Sequence, residues 1–254
     1  MSDAVAIGVD CGSTTTKAVA IDSGGRILYS VVERSHPRIE EQTERCLALL
    51  RERTGAAASV PIGATGYGRK RIAASRVLTE ITCHARGAFF HTGKACTLVD
   101  MGGQDTKVIR VGPGGDVQDF AMNDKCAAGT GRFLEVILAR LEVPLDEIAQ
   151  RAAGEARPVS ISSTCTVFAE SEVISLVAQG EPVAGILAGL HRSLASRVAS
   201  LAGSMAADAD VRMSGGVAKN ATMVEALGRA LGRPIGVLPD PQLVGALGAA
   251  LWVR

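Results

Sequence analysis

Two features are scarce in this sequence: net charge and long apolar stretches. The chain has 254 residues, with 27 Lys plus Arg against 26 Asp plus Glu. Positive and negative charges are therefore balanced, and the net charge provides no electrostatic attraction to nucleic acid or to an anionic membrane. Apolar runs such as 246–253 are well short of the roughly 20 residues that span a bilayer, and no signal-like segment opens the chain. We therefore expect a globular, cytoplasmic protein that binds neither nucleic acid nor membrane.

The six cysteines lack the spacing of disulfide scaffolds and of C-x-x-C sites. They stand at positions 11, 46, 83, 96, 126 and 165. Such sparse spacing indicates reduced thiols. The histidines also form no pair with a cysteine or a carboxylate at the spacing of a metal site. Each cysteine therefore needs an argument of its own.

Two common nucleotide-binding motifs are missing as well. The P-loop and the Rossmann turn both lead from a strand into a helix, and neither spacing occurs. The chain instead has two short apolar runs that end at Asp10 and Asp100. Each passes through a Gly-rich turn into a β-branched strand. This strand-turn-strand pattern disfavours the P-loop and Rossmann folds.

The two Gly-rich turns belong to an internal repeat. Residues 9–20 read VDCGSTTTKAVA, and residues 99–110 read VDMGGQDTKVIR. A glycine pair follows each copy at the same offset, where a turn between two strands is expected. The repeat predicts two related half-domains, residues 1–95 and residues 96–254, with the C-terminal helix packing back on the first.

A duplicated Gly-rich turn suits a polyphosphate ligand. Glycine lets backbone N–H groups approach phosphate oxygens, hydroxyl groups add donors, and an aspartate can hold Mg²⁺ through water. A single turn of this kind is explained equally well as a tight hairpin. Because both copies contain the Asp and the Lys, we favour a ligand-binding pair, the first clasp (residues 10–17) and the second clasp (residues 100–107).

The rest of the chain alternates between strand and helix patterns. The predicted helices are 38–53, a stretch ending near 92, 132–142, 145–153, 167–179, 183–201, one after 216 and a last one from Pro241. Further strands are predicted at 60–64, 211–214 and 235–238. A strand that leads into Gly215 and Gly216 suits close approach of a nucleotide, although a plain strand-to-helix turn explains the pair equally well.

Cys126 and Cys165 differ from the other cysteines in their surroundings. Each lies next to the start of a predicted helix, an environment that favours thiolate and stabilises an anionic metal-sulfur cluster. Four thiolates hold a four-iron cluster, so two copies of the chain would complete the set. A buried structural cysteine or a lone redox thiol is commoner. Glu170 and Glu172 are expected to be solvated or capping groups rather than acid-base groups.

Together, the motifs resemble the ATP-dependent activators of 2-hydroxyacyl-CoA dehydratases, relatives of the ATP-binding subunits of benzoyl-CoA reductase. VDCGSTTTKAV and VDMGGQDTK are similar to the two phosphate motifs, and MSGGVAKN to the adenosine motif. ATGYGR and HARGA resemble the connecting segments. NDKCAAGTGRFLE and CTVFAESEV resemble the two cluster-ligand segments, which sugar kinases and actin-like proteins lack. The similarity covers nearly the whole chain.

This resemblance implies an α/β fold of the actin, sugar-kinase and Hsp70 type (ASKHA), with two duplicated RNase H-like half-domains. It implies ATP or ADP with Mg²⁺ in the cleft between them. It also implies a homodimer that shares one 4Fe-4S cluster on Cys126 and Cys165 of each chain. The implied function is ATP-dependent, low-potential electron transfer from ferredoxin or flavodoxin to an iron-sulfur enzyme such as a 2-hydroxyacyl-CoA dehydratase.

The resemblance also assigns roles to the clasps. Asp10 and Asp100 would organise Mg²⁺ and phosphates, and Gln104 would help to position the attacking water. The expected nucleotide-binding residues are Gly12, Ser13, Thr14, Thr15, Lys17, Gly102, Gly103, Gly215, Gly216, Lys219 and Gln242. Lys17 and Lys107 fit either a structural or a phosphate-facing role.

Three alternatives stay open from the sequence. The first is the ATP-binding subunit of a benzoyl-CoA-reductase-like complex. The second is a small-molecule kinase of the same fold, which needs a carboxylate base beside the γ-phosphate, and no additional catalytic aspartate is evident. The third is an assembly or chaperone-like ATPase, in which Cys126 and Cys165 would be incidental. Stoichiometric iron would separate electron transfer from the last two.

Overall fold

Strands and helices alternate along the chain in the computed structural model, which describes residues 4–152, 157–163, 165–207 and 210–254. The strands are β1 (Ala6–Cys11), β2 (Thr15–Ile21), β3 (Ile27–Arg34), β4 (Ile62–Thr65), β5 (Arg76–Val77), β6 (Cys96–Met101), β7 (Thr106–Val111), β8 (Val117–Asn123), β9 (Val211–Ser214) and β10 (Gly236–Val237). The α-helices are α1 (Ile39–Thr54), α2 (Glu80–Thr92), α3 (Gly131–Arg140), α4 (Ile148–Ala152), α5 (Thr166–Ala178), α6 (Val183–Ala202), α7 (Ala221–Leu231) and α8 (Val244–Leu251).

The strands form two five-stranded sheets with the same strand order. The first sheet has the order β3-β2-β1-β4-β5 and the second β8-β7-β6-β9-β10. In the first sheet, β2 pairs antiparallel with both β1 and β3, whereas β4 pairs in parallel with both β1 and β5. In the second sheet, β9 and β10 pair in parallel. The shared order confirms the duplication that the sequence repeat predicts.

The chain divides into two compact units. The first consists of Met1–Leu98, Ile109–Phe120 and Leu238–Arg254, and the second of Val99–Val108 and Ala121–Val237. The division falls within β6, β7 and β8, so both units include parts of these strands. This division into compact units does not test the half-domain boundary between residues 95 and 96. That boundary stays a prediction.

In the first unit, α8 packs against the first sheet and against α2 through backbone contacts. A Cβ on Gly8 of β1 would lie 1.9 Å from a carbonyl oxygen of α8, and a Cβ on Gly63 of β4 would lie 2.2 Å from another. On the α2 side, a Cβ on Gly248 would lie 1.8 Å from the carbonyl oxygen of Cys83. Every residue of α8 is buried. Glycines, which have no side chain, therefore allow the close approach that sets the position of this helix.

The core of the second unit lies between helices and the strands β6, β7 and β9. Phe133 and Ile137 of α3 and Leu190 and Leu194 of α6 are fully buried there. Helix α7 is capped by Asn220, whose side-chain oxygen accepts a backbone N–H three residues later at 3.2 Å. Three helices of this unit are thus held by one apolar core.

Most predicted elements are present with small shifts. Helices α1, α3, α5 and α6 and strands β4, β9 and β10 correspond to the predicted segments 38–53, 132–142, 167–179, 183–201, 60–64, 211–214 and 235–238. The last helix begins at Val244 rather than Pro241, because a turn at Asp240, which has a φ of 43°, comes first. The segment 145–153 is a 3-10 turn followed by α4, and Ala153 lies outside the described residues. Over the described ranges, no helix has the length and apolar character needed to cross a bilayer.

Replacement of Gly8 by alanine should destabilise the protein strongly. The added Cβ overlaps the carbonyl oxygen of Ala246, so α8 has to move away from β1. Overpacking costs about 1–3 kcal/mol, and a clash with backbone belongs at the upper end, so we expect urea denaturation to show a loss of about 3 kcal/mol.

The control is Gly114→Ala, whose Cβ meets only Asp116 Oδ1 at 3.5 Å. This variant should change the free energy of unfolding by less than about 0.5 kcal/mol. Equal stabilities of the Gly8 and Gly114 variants would contradict the described packing of α8.

Candidate functional site

The first clasp is a β-hairpin in which a buried aspartate pairs with a lysine on the opposite strand. Asp10 lies opposite Lys17 in the β1–β2 pairing. Lys17 Nζ donates a hydrogen bond to Asp10 Oδ2 at 3.2 Å. Asp10 is only 5% exposed, and a carboxylate buried to this extent requires a compensating partner. Lys17, whose role is open from sequence, therefore neutralises Asp10 in this clasp.

Two glycines lie against the Asp10 carboxylate. A Cβ on Gly66, which has a φ of +92°, would lie 2.5 Å from Asp10 Oδ1. A Cβ on Gly245 would lie 3.2 Å from Asp10 Oδ2 and 3.1 Å from His84 Nε2. Any side chain at either glycine would therefore displace the carboxylate or its neighbour. The ATGYGR motif and the start of α8 thus confine Asp10 from outside the hairpin.

The second clasp repeats this arrangement with one more partner. Asp100 is 3% exposed and accepts a hydrogen bond from the Ser214 hydroxyl at 2.6 Å. Lys107 Nζ lies 3.6 Å from Asp100 Oδ2 and 2.8 Å from Asp105 Oδ2. Ser214 ends β9, the neighbour of β6 in the sheet. Because it is distant in sequence, no local pattern identifies Ser214 as a partner of Asp100.

The tip of each clasp is accessible above its buried aspartate. A backbone hydrogen bond closes each turn, from Gly12 N to Thr15 O at 3.1 Å and from Gly102 N to Asp105 O at 2.9 Å. Ser13 and Gln104 are exposed, and the half-buried tip residues are Gly12, Thr14, Thr15, Gly102 and Gly103. Hydroxyl and backbone groups at the first tip, and backbone and amide groups at the second, can therefore reach a ligand.

The predicted nucleoside residues divide between the two units. Gly215, with a φ of +87°, approaches the second clasp so closely that a Cβ would lie 2.2 Å from Met101 O. Gly216–Lys219 form a 3-10 turn before α7, and Lys219 is exposed. Gln242 belongs to the first unit and is half-buried. The structure thus brings Gly215, but not Gln242, next to the second clasp within one unit.

A cavity of about 1030 Å³ lies along α6 and α7 in the second unit, and its lining includes Arg192, Thr222 and Arg229. His191 also lines it. The His191 ring bonds a backbone carbonyl one turn earlier at 2.7 Å and the Asn220 amide at 2.9 Å. Burial lowers the pKa of His191, which indicates a neutral, structural imidazole. None of the predicted nucleotide-binding residues lines this cavity.

Cys126 and Cys165 are exposed, and the other four cysteines are buried. Burial raises the pKa of the Cys46 thiol to about 11 and that of Cys83 to about 12. Burial also raises the pKa of Cys11. Thiols with such pKa values stay protonated at neutral pH and make poor ligands or nucleophiles. Core packing, expected for the four other cysteines, is confirmed.

The segment before Cys165 is fastened by Glu172. Glu172 Oε1 accepts the N–H and the hydroxyl of Ser162, both at 2.9 Å, and Oε2 accepts the N–H of Ser163 at 2.8 Å. Partial burial raises the pKa of Glu172, but these hydrogen bonds outweigh burial and lower it to about 2. Glu172 is therefore an ionised anchor, and Cys165 itself is the N-cap residue of α5 as predicted.

Cys126 does not lie at a helix start, contrary to the sequence-based expectation. Helix α3 begins at Gly131, and a turn separates it from Cys126. The field of a helix N-terminus falls off within its first turn, so that argument applies to Cys165 only. Asn123 instead holds the Cys126 segment, the residues 124–130 between β8 and α3. Its Nδ2 donates hydrogen bonds to Cys126 O at 3.0 Å and to Ala128 O at 2.8 Å.

Hydrogen bonds join the Cys126 segment directly to the second clasp. They run from Thr106 Oγ1 to Gly129 O (2.7 Å), from Gly131 N to Gly102 O (2.9 Å) and from Arg132 N to Gly103 O (2.7 Å). The tip carbonyls of the clasp thereby satisfy N–H groups at the start of α3, which have no partner within the helix. A displacement of the clasp tip therefore changes the hydrogen bonds of α3.

The chemistry of the exposed thiols fits half of a cluster site. Within the described ranges, no three His, Cys, Asp or Glu side chains are placed to hold a metal ion together. Each chain offers the thiols of Cys126 and Cys165, and four thiolates hold a 4Fe-4S cluster. Two chains together have the donor set that such a cluster requires.

The chain is similar to known proteins along nearly its whole length. The model of the BadF/BadG/BcrA/BcrD ATPase family matches residues 7–253. The activator of lactoyl-CoA dehydratase from Anaerotignum propionicum is 44% identical over 253 residues, which cover 97% of this chain and 96% of the relative. The solved activator of 2-hydroxyisocaproyl-CoA dehydratase from Clostridium difficile, with bound ADPNP, has a TM-score of 0.91 at 42% identity and covers 98% of this chain and 93% of that chain.

More distant structures show the fold alone. A ROK family glucokinase from Streptomyces griseus, in complex with glucose and AMPPNP, has a TM-score of 0.62 at 17% identity, with coverage of 97% of this chain and 98% of that chain. The fold is therefore of the actin and sugar-kinase type, which confirms the predicted fold class. Because one fold hosts many functions, this likeness does not extend to sugar phosphorylation.

Rapid alkylation should be confined to two of the six cysteines. In the chelator-treated native chain at about pH 8, iodoacetamide should modify Cys126 and Cys165 first, whereas Cys46 and Cys83 should react only in denaturant because their buried thiols stay protonated. Peptide mass spectrometry measures each site. Cys46→Ala should leave the fast fraction unchanged, and Cys126→Ala should remove half of it. Fast modification of Cys83 in the native chain would refute the described burial.

Proposed function

The chain belongs to the BadF/BadG/BcrA/BcrD ATPase family, and on that basis we propose that it couples ATP hydrolysis to low-potential electron transfer toward an iron-sulfur enzyme of the 2-hydroxyacyl-CoA dehydratase type. The names of the similar proteins, activators of such dehydratases, support this partner. The observation that carries the proposal is the hydrogen-bonded link between the second clasp and the Cys126 segment. It joins a phosphate-type turn to an exposed thiol within one unit.

In the proposed nucleotide site, Asp10 and Asp100 hold Mg²⁺ and phosphates through water, and Gln104 orients the attacking water. The burial of both carboxylates under accessible tips supports these roles. The tip residues of the two clasps bind phosphate oxygens, and Gly215, Gly216, Lys219 and Gln242 border the nucleoside. Preorganised donors of this kind stabilise developing charge without rearrangement during the reaction.

In the proposed redox site, Cys126 and Cys165 of two chains hold one shared 4Fe-4S cluster. Each chain provides two exposed thiols. Directly after Cys165, Val167 and Phe168 are 66% and 68% exposed, and apolar side chains at that exposure suit burial against a second chain. When bound, the cluster supplies one-electron chemistry, with ferredoxin or flavodoxin as the proposed donor.

The proposed coupling uses the carbonyls at the tip of the second clasp. A γ-phosphate that accepts the N–H of Gly102 competes with the carbonyl oxygen of Asp105, which accepts that N–H at 2.9 Å, and so displaces Gly102 and its neighbour Gly103. Since the same two residues accept the first N–H groups of α3, their displacement moves the start of α3 and the Cys126 segment. Nucleotide state thereby changes access to the thiols.

Loss of either exposed cysteine should prevent iron binding. After anaerobic purification, the wild-type chain should contain about two iron atoms, that is four per dimer. Cys126→Ala and Cys165→Ala should contain almost none, because only two thiolates per dimer remain. Cys46→Ala, at a buried position, is the control and should retain wild-type iron. Iron in either ligand variant at the wild-type level, or an iron-free wild-type chain, would refute the cluster assignment.

Nucleotide state should control the access of a chelator to the iron. With ADP plus aluminium fluoride, a mimic of the transferring γ-phosphate, iron removal should be about fivefold or more faster than with ADP alone. Thr106→Val removes the hydroxyl that bonds Gly129 O and should reduce this difference. Thr43→Val is the control, since the Thr43 hydroxyl bonds its own helix. Equal rates in the wild-type chain, with both nucleotides shown to bind, would mean that clasp and cluster are uncoupled.

A further inference from the structure

We propose that Arg197, on α6, is a positioning residue that holds the segments of Cys126 and Cys165 in one mutual arrangement. The inference deepens the proposed function and rests on it, because it assigns a side chain to the alignment of the two thiol pairs. It depends on three groups that meet around Arg197: the Ser163 peptide, the Phe133 ring and the backbone near Gly129.

On the Cys165 side, Arg197 and Glu172 both form hydrogen bonds with the backbone of one residue, Ser163. Arg197 Nη2 donates a hydrogen bond to Ser163 O at 3.0 Å, and Glu172 accepts the N–H of Ser163 at 2.8 Å. Both bonds involve an ionised side chain and are therefore stronger than neutral ones. Ser163 is thus fixed through its N–H and through its carbonyl, two residues before Cys165.

On the Cys126 side, the same guanidinium packs against α3. Its central carbon lies 5.6 Å from the centroid of the Phe133 ring, within the range of cation-π attraction. Phe133 is fully buried, so its ring provides a fixed surface. The stem of Arg197 also runs beside the Cys126 segment, since a Cβ on Gly129 would lie 3.8 Å from Arg197 Cβ.

Arginine is suited to this double role. A planar guanidinium can donate along its edge and interact with an aromatic ring, whereas a lysine ammonium is a compact charge without that fork. Helix α6 is a rigid support because its inward face, including Leu194 and Val198 on either side of Arg197, is fully buried. Both cysteine segments are therefore attached to one helix by one side chain. Glu172 differs, because its hydrogen bonds with Ser162 and Ser163 hold the Cys165 segment and not the Cys126 segment.

This difference gives the experiment. Hydrogen exchange of the full-length chain is followed by mass spectrometry, before and after chelator treatment, in the peptides that contain Cys126 and Cys165. Arg197→Ala should accelerate exchange about tenfold or more in both peptides, because local opening loses its common restraint. Glu172→Gln should accelerate exchange in the Cys165 peptide alone. Arg192→Ala, an exposed position on the same helix, is the control and should change neither peptide.

Arg197→Lys supplies the rescue test and covers the case in which Arg197→Ala fails to fold. It should restore protection in part, more for the Cys165 peptide than for the Cys126 peptide, because lysine can still donate to Ser163 O. Faster exchange confined to the Cys165 peptide in the Arg197 variants, or unchanged exchange in both, would overturn the proposal. Iron analysis of the wild-type chain tests the cluster separately. If the wild-type chain contains no iron but Arg197→Ala still accelerates exchange in both peptides, the positioning role of Arg197 is supported and only the cluster assignment is rejected.

Discussion

A buried carboxylate that is neutralised across a β-hairpin is the interaction on which both clasps depend. Asp10 and Asp100 stand at the ends of the first strands of their sheets, and each has its lysine on the adjacent strand. Unpaired burial of either charge would cost several kcal/mol. Because the partners are strand residues, sheet pairing rather than a flexible loop sets the position of each carboxylate. The turns above remain free to contact a ligand.

The parts of the molecule that repeat or follow a period were predictable from the sequence. The duplicated motif predicted both hairpins, and apolar periodicity predicted α1, α5 and α6 closely. The contact between Ser214 and Asp100 was not predictable, because it depends on which strands become neighbours in the sheet. The helix-start environment inferred for Cys126 was wrong, because the predicted start of α3 at residue 132 already lies more than one helical turn beyond Cys126. The spacing of apolar residues predicts helices and strands, but it does not predict which distant strands pair or how a turn is shaped.

The two cysteine segments show how polar side chains can hold an exposed part of the chain through its backbone. Side-chain amide, carboxylate and guanidinium groups bond the backbone of these segments at Cys126, Ser162 and Ser163. Such anchoring is sensitive to charge. Hydrogen bonding lowers the pKa of Glu172 from 4.5 to about 2, so its stabilising effect is complete above about pH 4.5 and is lost as the pH falls toward 2. Apolar packing would show no such dependence, and it would not leave the thiols accessible.

The glycine contacts of α8 have a consequence for synthesis on the ribosome. Strands β1 and β4 emerge early, yet the glycines on their buried face have no side chains with which to cover one another. In the folded chain, Val244–Leu251 covers that strip. The second unit ends at Val237, so all of its residues leave the ribosome before α8 does. During translation, the N-terminal sheet therefore keeps one face uncovered until the last helix has been synthesised, and an uncovered face of this kind exposes the nascent chain to chaperone binding and misassociation.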